Sequence, residues 1–398
     1  MHRIRERKVS DVLNKGRIKN ISADEVLFER GRPDAVFLAL CLLLIAFGTL
    51  MNYSASSVYA EQLYGSSTYF LVRYVLFAVV SIAVTVPFVM KGTIGFWRFF
   101  TKVIYAVAIG MLLLVLVIGT VGGGAQRWIQ IGPITIQPSE VAKLAIVMML
   151  ASYLSVHEKE VASNGRESFV HGVLAPGGII GAIGVLVALE KHISGLMIIG
   201  MIGIAVMFVG GTRLRYIFLI AGTVALAGTV LILVSEYAQT RVHTWLNIDT
   251  VDPLGEAWQT LQGLYAIGSG GIFGLGLFQS RQKYGYVSQP QNDFVFTIIC
   301  EELGFLGAAL VLTLFGLLVV RGFRIAASAP DKFSALVVYG IVAKVAIQTV
   351  LNVAVVTNSM PNTGISLPFF SSGGTSLALQ IFEMGIVLNV SRYSSLRS

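Results

Sequence analysis

The chain has 398 residues, 55% of them apolar and only 13% charged, with a mean hydropathy of +0.77. That balance excludes a string of soluble domains and describes an all-α polytopic membrane protein. The formal net charge of +8 gives no support to nucleic-acid binding, because the Lys and Arg residues are distributed as membrane topology requires.

Residues 1–33 read as a basic cytoplasmic tail that carries nine of the 29 Lys and Arg residues. It has no cleavage-site signature, so a retained tail is expected, not a signal peptide. Ten apolar stretches follow, at about 35–53, 68–90, 98–121, 138–154, 169–189, 192–211, 214–235, 293–320, 333–356 and 369–390. Most approach the ~20 residues needed to cross a bilayer core. Only Glu190 and Lys191 separate the fifth from the sixth. Together they make a ten-span domain over 34–392, followed by a short cytoplasmic tail at 393–398. With the N-terminus inside, 21 Lys and Arg residues fall on cytoplasmic segments and 5 on external ones, counting charges at span ends with the segments they flank. This is a positive-inside pattern, and it favours contact with anionic inner-leaflet lipids. Cys41 and Cys300 both fall within spans, so no disulfide is expected, and no His/Cys metal spacing occurs. No fixed-period internal repeat is visible, as an inverted-repeat transporter would often show.

Between the third and fourth spans runs Gly122-Gly123-Gly124-Ala125-Gln126-Arg127-Trp128, continuing to Gln137-Pro138-Ser139-Glu140-Val141-Ala142-Lys143. Pro138 suits a first helical turn. Glu140 and Lys143 then share a helix face inside the membrane, where they neutralise each other. Charges at such depth are expensive and usually functional, although a purely structural ion pair satisfies the same pattern. The soluble segment 236–292 is expected outside, with interfacial amphipathic pieces that bring Trp245 and Trp258 near the headgroups. It holds Arg241 and His243, a glycine-rich turn from Gly268 to Gly276, and Arg281 and Lys283. A segment of that length is usually functional. Asp293 opens the eighth span, where it is either a helix cap or an outward-facing general base. Glu301 and Glu302, two turns deeper, must face protein or water and read as structural. Lys344 and Glu383 are similar buried charges. His192 and His243 read as hydrogen-bonded surface residues. The Pro361–Ser376 stretch enters the last span through small residues, which either expose N–H groups to an anion or let helices approach closely.

In combination these stretches resemble the SEDS (shape, elongation, division and sporulation) family of peptidoglycan glycosyltransferases. The matching residues are Gly124–Ile129, Gln137–Glu140 with Lys143, Gly268–Gly271, Gln282-Lys283, Asn292-Asp293-Phe294, Glu301–Gly304 and Thr363 through Ser376. The ending Leu388-Asn389-Val390-Ser391-Arg392 is more similar to the division and sporulation branch than to the rod-shape branch. The resemblance implies a ten-helix fold with a large extracellular loop between helices 7 and 8, and polymerisation of lipid II. It implies Asp293 as the essential aspartate, Glu140 and Lys143 as a buried ion pair, and Arg127 and Lys283 as basic positions near the pyrophosphate. Arg241, from the same external loop, is added as a further pyrophosphate cation. Undecaprenyl-pyrophosphate-linked glycan is the implied co-substrate, and a class B penicillin-binding protein, a transpeptidase, is the implied partner. A divalent cation, Mg²⁺ or Mn²⁺ near Asp293, would fit a leaving pyrophosphate. The sequence departs from the family at Asn292, at Ser372 and across Lys191-His192-Ile193-Ser194-Gly195, which puts any role of the last segment in doubt. Two rival readings are a lipid II flippase and a non-catalytic scaffold for a transpeptidase.

Overall fold

The computed structural model describes residues 31–122, 125–132 and 134–393. Nearly all of the expected tails at 1–33 and 393–398, and Gly124 of the motif ahead of Arg127, lie outside the described residues. Among the described residues, ten helices are long and apolar enough to span a membrane. In chain order they are α1 (Ala35–Tyr64), α2 (Tyr69–Lys91), α3 (Ile94–Ile118), α4 (Pro138–Val156), α6 (Arg166–Leu189), α7 (Ile193–Gly210), α8 (Leu214–Val234), α11 (Val295–Ala327), α12 (Lys332–Val356) and α13 (Gly374–Ser391). Three shorter helices among the described residues do not span: α5 (Glu158–Ala162), α9 (Glu236–Leu246) and α10 (Trp258–Gly270). The chain is a multi-pass membrane protein. Large apolar side chains such as Val79, Leu113, Phe218 and Leu226 point outward from the bundle, which is tolerable only against lipid.

The spans follow the sequence pattern, with shifted ends. The first helix runs eleven residues past its expected end, from 53 to Tyr64. Asp34 caps its start, accepting from Phe37 N, and is ion-paired to Arg321 at 2.6 Å. The last span starts at Gly374, not at 369. One element lies outside an all-α description. Between α3 and α4 the chain forms a small antiparallel sheet of β1 (Thr120–Gly122), β2 (Ala125–Ile131) and β3 (Ile134–Ile136), in the order β1-β2-β3. Thr375 Oγ1 donates to Thr135 O at 2.9 Å and ties this sheet to α13. The sheet, α9 and α10 and the 357–373 loop all gather at one end of the bundle, hereafter the loop end.

The glycine-rich turn has a structural purpose. Helix α11 is broken at Gly304 (φ 65°, ψ −166°), a backbone region that is essentially glycine-only. The break frees peptide groups inside the bundle, and they must find partners there. The 271–276 segment supplies them. Leu275 N and Gly276 N donate to Glu301 O and Glu302 O, each at 2.9 Å. In return, Phe305 N and Leu306 N donate to Gly271 O and Ile272 O at 2.9 and 3.1 Å. The two backbones approach so closely that a Cβ on Gly304 would lie 2.4 Å from Gly274 N. Gly304→Ala is therefore expected to lower stability by roughly 1–3 kcal/mol from backbone strain alone. The check is the thermal unfolding midpoint of the purified protein in detergent; an unchanged midpoint contradicts this docking.

The carboxylates beside the break are equally committed. Glu301 accepts from Ser280 Oγ (2.5 Å) and Arg281 N (2.9 Å), and Glu302 from Ser54 Oγ (2.6 Å) and Phe278 N (3.0 Å). Both are essentially without exposure, as the structural reading of these acids expects. At the opposite end, the Leu388–Arg392 stretch closes the bundle. Asn389 accepts from Trp97 Nε1 at 2.9 Å and donates to Val89 O at 2.8 Å, and Arg392 donates to Met90 O at 2.7 Å.

Candidate active site at the loop end

Asp293 is where the loop end converges. Helix α11 begins at Val295, so Asp293 lies just outside the span instead of opening it at 293. The N-cap residue is Phe294, with no side-chain cap. The carboxylate is therefore not used to cap the helix. The backbone around it is fixed. Asn352 of α12 spends both amide hydrogens, one on Asp293 O and one on Ile365 O, each at 2.7 Å. Ser371 Oγ donates to Asn292 O at 2.6 Å, Ser372 Oγ donates to Asn292 Oδ1, and Ser372 N donates to Gln291 O at 2.9 Å. Gly364 (φ +65°) lies against the carboxylate, with room for a Cβ only 3.4 Å from Oδ2. Among the described residues no other side chain hydrogen-bonds to the carboxylate, which accepts from its own backbone N–H.

Two guanidinium groups lie near enough for their charge to act on it. Burial pushes the Asp293 carboxyl above the ordinary aspartate value, and the charges of Arg241 and Arg127 offset part of that rise. Arg241 comes from α9 and donates to Asn362 O. Trp245, one turn on and on the same helix face, donates its indole N–H to Asn358 O at 2.9 Å. These two bonds hold α9 against the 357–373 loop. Arg127 comes from β2, at the irregularity where Trp128 pairs with Thr120 and Gln126 with Val121, so that Arg127 is the extra residue of the strand. Its Nε is buried without a hydrogen-bond partner among the described residues. A buried donor left open carries a desolvation cost that an anion would remove.

The remaining sequence-predicted residues divide. Glu140 and Lys143 pair at 2.6 Å and are 7% and 2% exposed, with Pro138 at the helix start as expected. A second pair, Lys344–Glu383 at 2.5 Å, joins α12 to α13, and the two pairs are close enough to feel each other's charge. Lys283 departs from expectation. It is 4% exposed, and its ammonium is used on Glu302 Oε1 at 3.1 Å and Phe278 O at 2.8 Å. It tethers the 277–283 segment to α11 and is not placed beside Asp293. The hydroxyls of Ser371, Ser372 and Thr375 are also occupied, and a Cβ on Gly374 would strike the Phe77 ring at 2.4 Å. Small residues at this helix entry thus serve close packing rather than anion binding.

Several site residues escape sequence reasoning. Asn352 is one; an uncharged amide in an apolar span needs internal partners, which is the signal that marks it. The 191–195 segment, left without a role by its departure from the family, is another. Ser194 Oγ donates to Thr363 O at 2.6 Å, next to Gly364. His192 is buried, not a surface residue, and its Nδ1 lacks a partner among the described residues. Burial, then the charges of Arg127 and Lys143, lowers the His192 pKa to about 4, so the imidazole is neutral near pH 7. No three His, Cys, Asp or Glu side chains come together to hold a metal among the described residues.

Fold and site together define a multi-pass membrane protein with a carboxylate in the field of two arginines at the loop end of a helix bundle. The chain belongs to the FtsW/RodA/SpoVE cell cycle protein family, whose family model matches residues 34–396. It is 40% identical over 366 residues to stage V sporulation protein E of Bacillus subtilis (strain 168), covering 91% of this chain and 98% of that protein. It is 36% identical over 368 residues to a probable peptidoglycan glycosyltransferase FtsW of Trichlorobacter lovleyi, covering 92% and 94%. Among solved structures it superposes on a chain of a peptidoglycan synthase complex that coordinates polymerization and crosslinking. The TM-score is 0.73 at 26% identity, with 90% of this chain and 98% of that one covered. Rod shape determining protein RodA of Thermus thermophilus gives 0.67 at 26% identity, with 91% and 98% covered. The similarity to sporulation and division proteins agrees with the branch that the C-terminal residues indicate.

Proposed function

We infer that the chain is a peptidoglycan glycosyltransferase that polymerises lipid II at the outer face of a bacterial cytoplasmic membrane, in division or sporulation. The observation that carries this reading is the Asp293 carboxylate in the field of Arg127 and Arg241, in a chain whose relatives are named for that activity. The 4-hydroxyl of one lipid II attacks the anomeric carbon of a growing lipid-linked chain. The bond from that carbon to the pyrophosphate breaks, and undecaprenyl pyrophosphate leaves with the electron pair. Asp293 accepts the hydroxyl proton as the new bond forms. Arg127 and Arg241 offset the charge that develops on the pyrophosphate. The lipid tails remain in the bilayer against the apolar outer surface of the bundle.

A divalent cation fits this donor set. Mg²⁺ is commonly held by one or two carboxylates plus substrate phosphates, and Asp293 would be the protein ligand. Bound there, the ion would supply further charge neutralisation at the leaving group. A class B penicillin-binding protein is the proposed partner, consistent with the synthase complex among the structural neighbours. The buried charges count against a transport path, because Glu140, Lys143, Lys283, Glu302, Lys344 and Glu383 are engaged in pairs with one another. Purified chain given lipid II separates the readings: glycan strands mean an enzyme, leaflet exchange without glycan a flippase, and neither a scaffold.

The orientation is part of the proposal, with both termini cytoplasmic and 236–292 outside. Single cysteines placed at the exposed positions Glu61 and Asp249 are expected to react with an impermeant thiol reagent in intact cells. One at exposed Asn164 is expected to stay unlabelled until the cells are opened. The reverse pattern contradicts the orientation.

A further inference from the structure

The loop end holds a cavity of which the transfer step uses only Arg241. Helices α9 and α10 and the 357–373 loop enclose an open cavity of about 250 Å³. Its walls include Thr240, Arg241 and Trp245 from α9, Gln259 and Thr260 from α10, and Asn358 from the loop. The Thr240 and Thr260 hydroxyls and the Asn358 and Gln259 amides, the latter with its Nε2 donating to Ser288 O at 3.3 Å and its Oε1 left to accept, can trade hydrogen bonds with a hydroxylated, N-acetylated ring, and the Trp245 indole, whose N–H is spent on Asn358 O, offers an apolar face. Acyl chains would leave these groups unsatisfied. A pyrophosphate would meet Arg241 as the single cation among the wall residues, with Glu256 opposing it.

The cavity is built into the site. Arg241 lines it and also stands in the field of Asp293. Thr260 lies one turn before Gly263, which packs so tightly on the ring of Phe294 that a Cβ there would fall 2.9 Å from it. Phe294 directly follows Asp293 in the chain. The Trp245 ring is held by its bond to Asn358 O, and Thr244 Oγ1 donates to Glu256 Oε2 at 3.2 Å across the rim.

We propose that this cavity is a saccharide subsite, holding one pyranose ring of a glycan at the loop end, against the Arg241 that also stands in the field of Asp293. That the glycan is lipid-linked peptidoglycan precursor rests on the function proposed above; the recognition of a sugar ring does not. Both the incoming lipid II and the growing chain present this chemistry.

The test uses the full chain in detergent micelles. A soluble N-acetylglucosaminyl–N-acetylmuramic acid disaccharide is the probe, read by saturation-transfer NMR. Wild-type protein is expected to transfer magnetisation to the sugar ring protons. Gln259→Leu and Thr240→Val are each expected to abolish that transfer and to raise KM in lipid II polymerisation about tenfold with kcat retained, the effect of one lost hydrogen bond to substrate. A folding defect would not give that split. His243→Ala, exposed and outside the cavity wall, is expected to match wild type. A rise in KM for lipid II alone assigns the subsite to the acceptor, and a rise for added lipid-linked oligomer alone to the growing chain. Disaccharide binding that is lost in the variants of a protein unable to polymerise lipid II upholds the subsite and refutes the function. No transfer to the disaccharide in wild type, or transfer unchanged in both variants, overturns the proposal.

Discussion

Asp293→Asn is expected to insert and fold normally while making glycan ~10²–10⁴-fold more slowly, the usual cost of losing a general base. Two observations make folding safe. The Asp293 side chain caps nothing, and the bond from Asn352 goes to the backbone oxygen, which the substitution keeps. Activity should also show an acid limb. Burial raises the Asp293 pKa, so the carboxylate is protonated, and the base lost, at a higher pH than for an ordinary aspartate near ~4. The pH dependence of kcat/KM is expected to fall on the acid side through that raised value and to lose this limb in Asp293→Asn. A variant that polymerises lipid II at near-normal rate would move the catalytic assignment elsewhere.

The second large effect concerns the charges buried in the bundle. Replacing either Glu140 or Lys143 leaves its partner as an unpaired charge in a dry environment, at a cost of roughly 3–5 kcal/mol. Glu140→Gln and Lys143→Met should each lower the thermal unfolding midpoint sharply, and the double variant should recover much of the loss. The proximity of the Lys344–Glu383 pair extends the argument. A cycle between Lys143→Met and Glu383→Gln should show coupling even though the two residues are not hydrogen-bonded partners. Additive losses in both cycles would mean that the four charges act separately.

How far the sequence carries depends on what kind of force places a residue. The ten spans are legible because bilayer thickness sets a length and a hydropathy that any span must meet. The Glu140–Lys143 pair is legible because helical geometry puts residues three apart on one face. Asp293, Arg127 and Arg241 are visible as candidates, yet their meeting is set by tertiary packing of α9, the β-sheet and α11, which no local pattern encodes. Lys283 shows the limit from the other side. The family resemblance implies a place near the pyrophosphate, whereas in the structure Glu302, beside the break at Gly304, lies 3.1 Å from its ammonium and claims the charge. The glycine turn follows the same logic: its residues serve a backbone docking that exists only once α11 is broken. The β-sheet is unreadable for a different reason, since its strands are short and irregular and interrupt a segment rich in glycine.

The central claim is that this bundle forms glycosidic bonds at Asp293. The most direct measurement is the product formed when purified chain, reconstituted in liposomes with or without its transpeptidase partner, is given labelled lipid II. The account predicts a ladder of lipid-linked glycan strands from the wild type and almost none from a folded Asp293→Asn protein. Equal ladders from the two proteins, or no strands from wild type under any of these conditions, would contradict it.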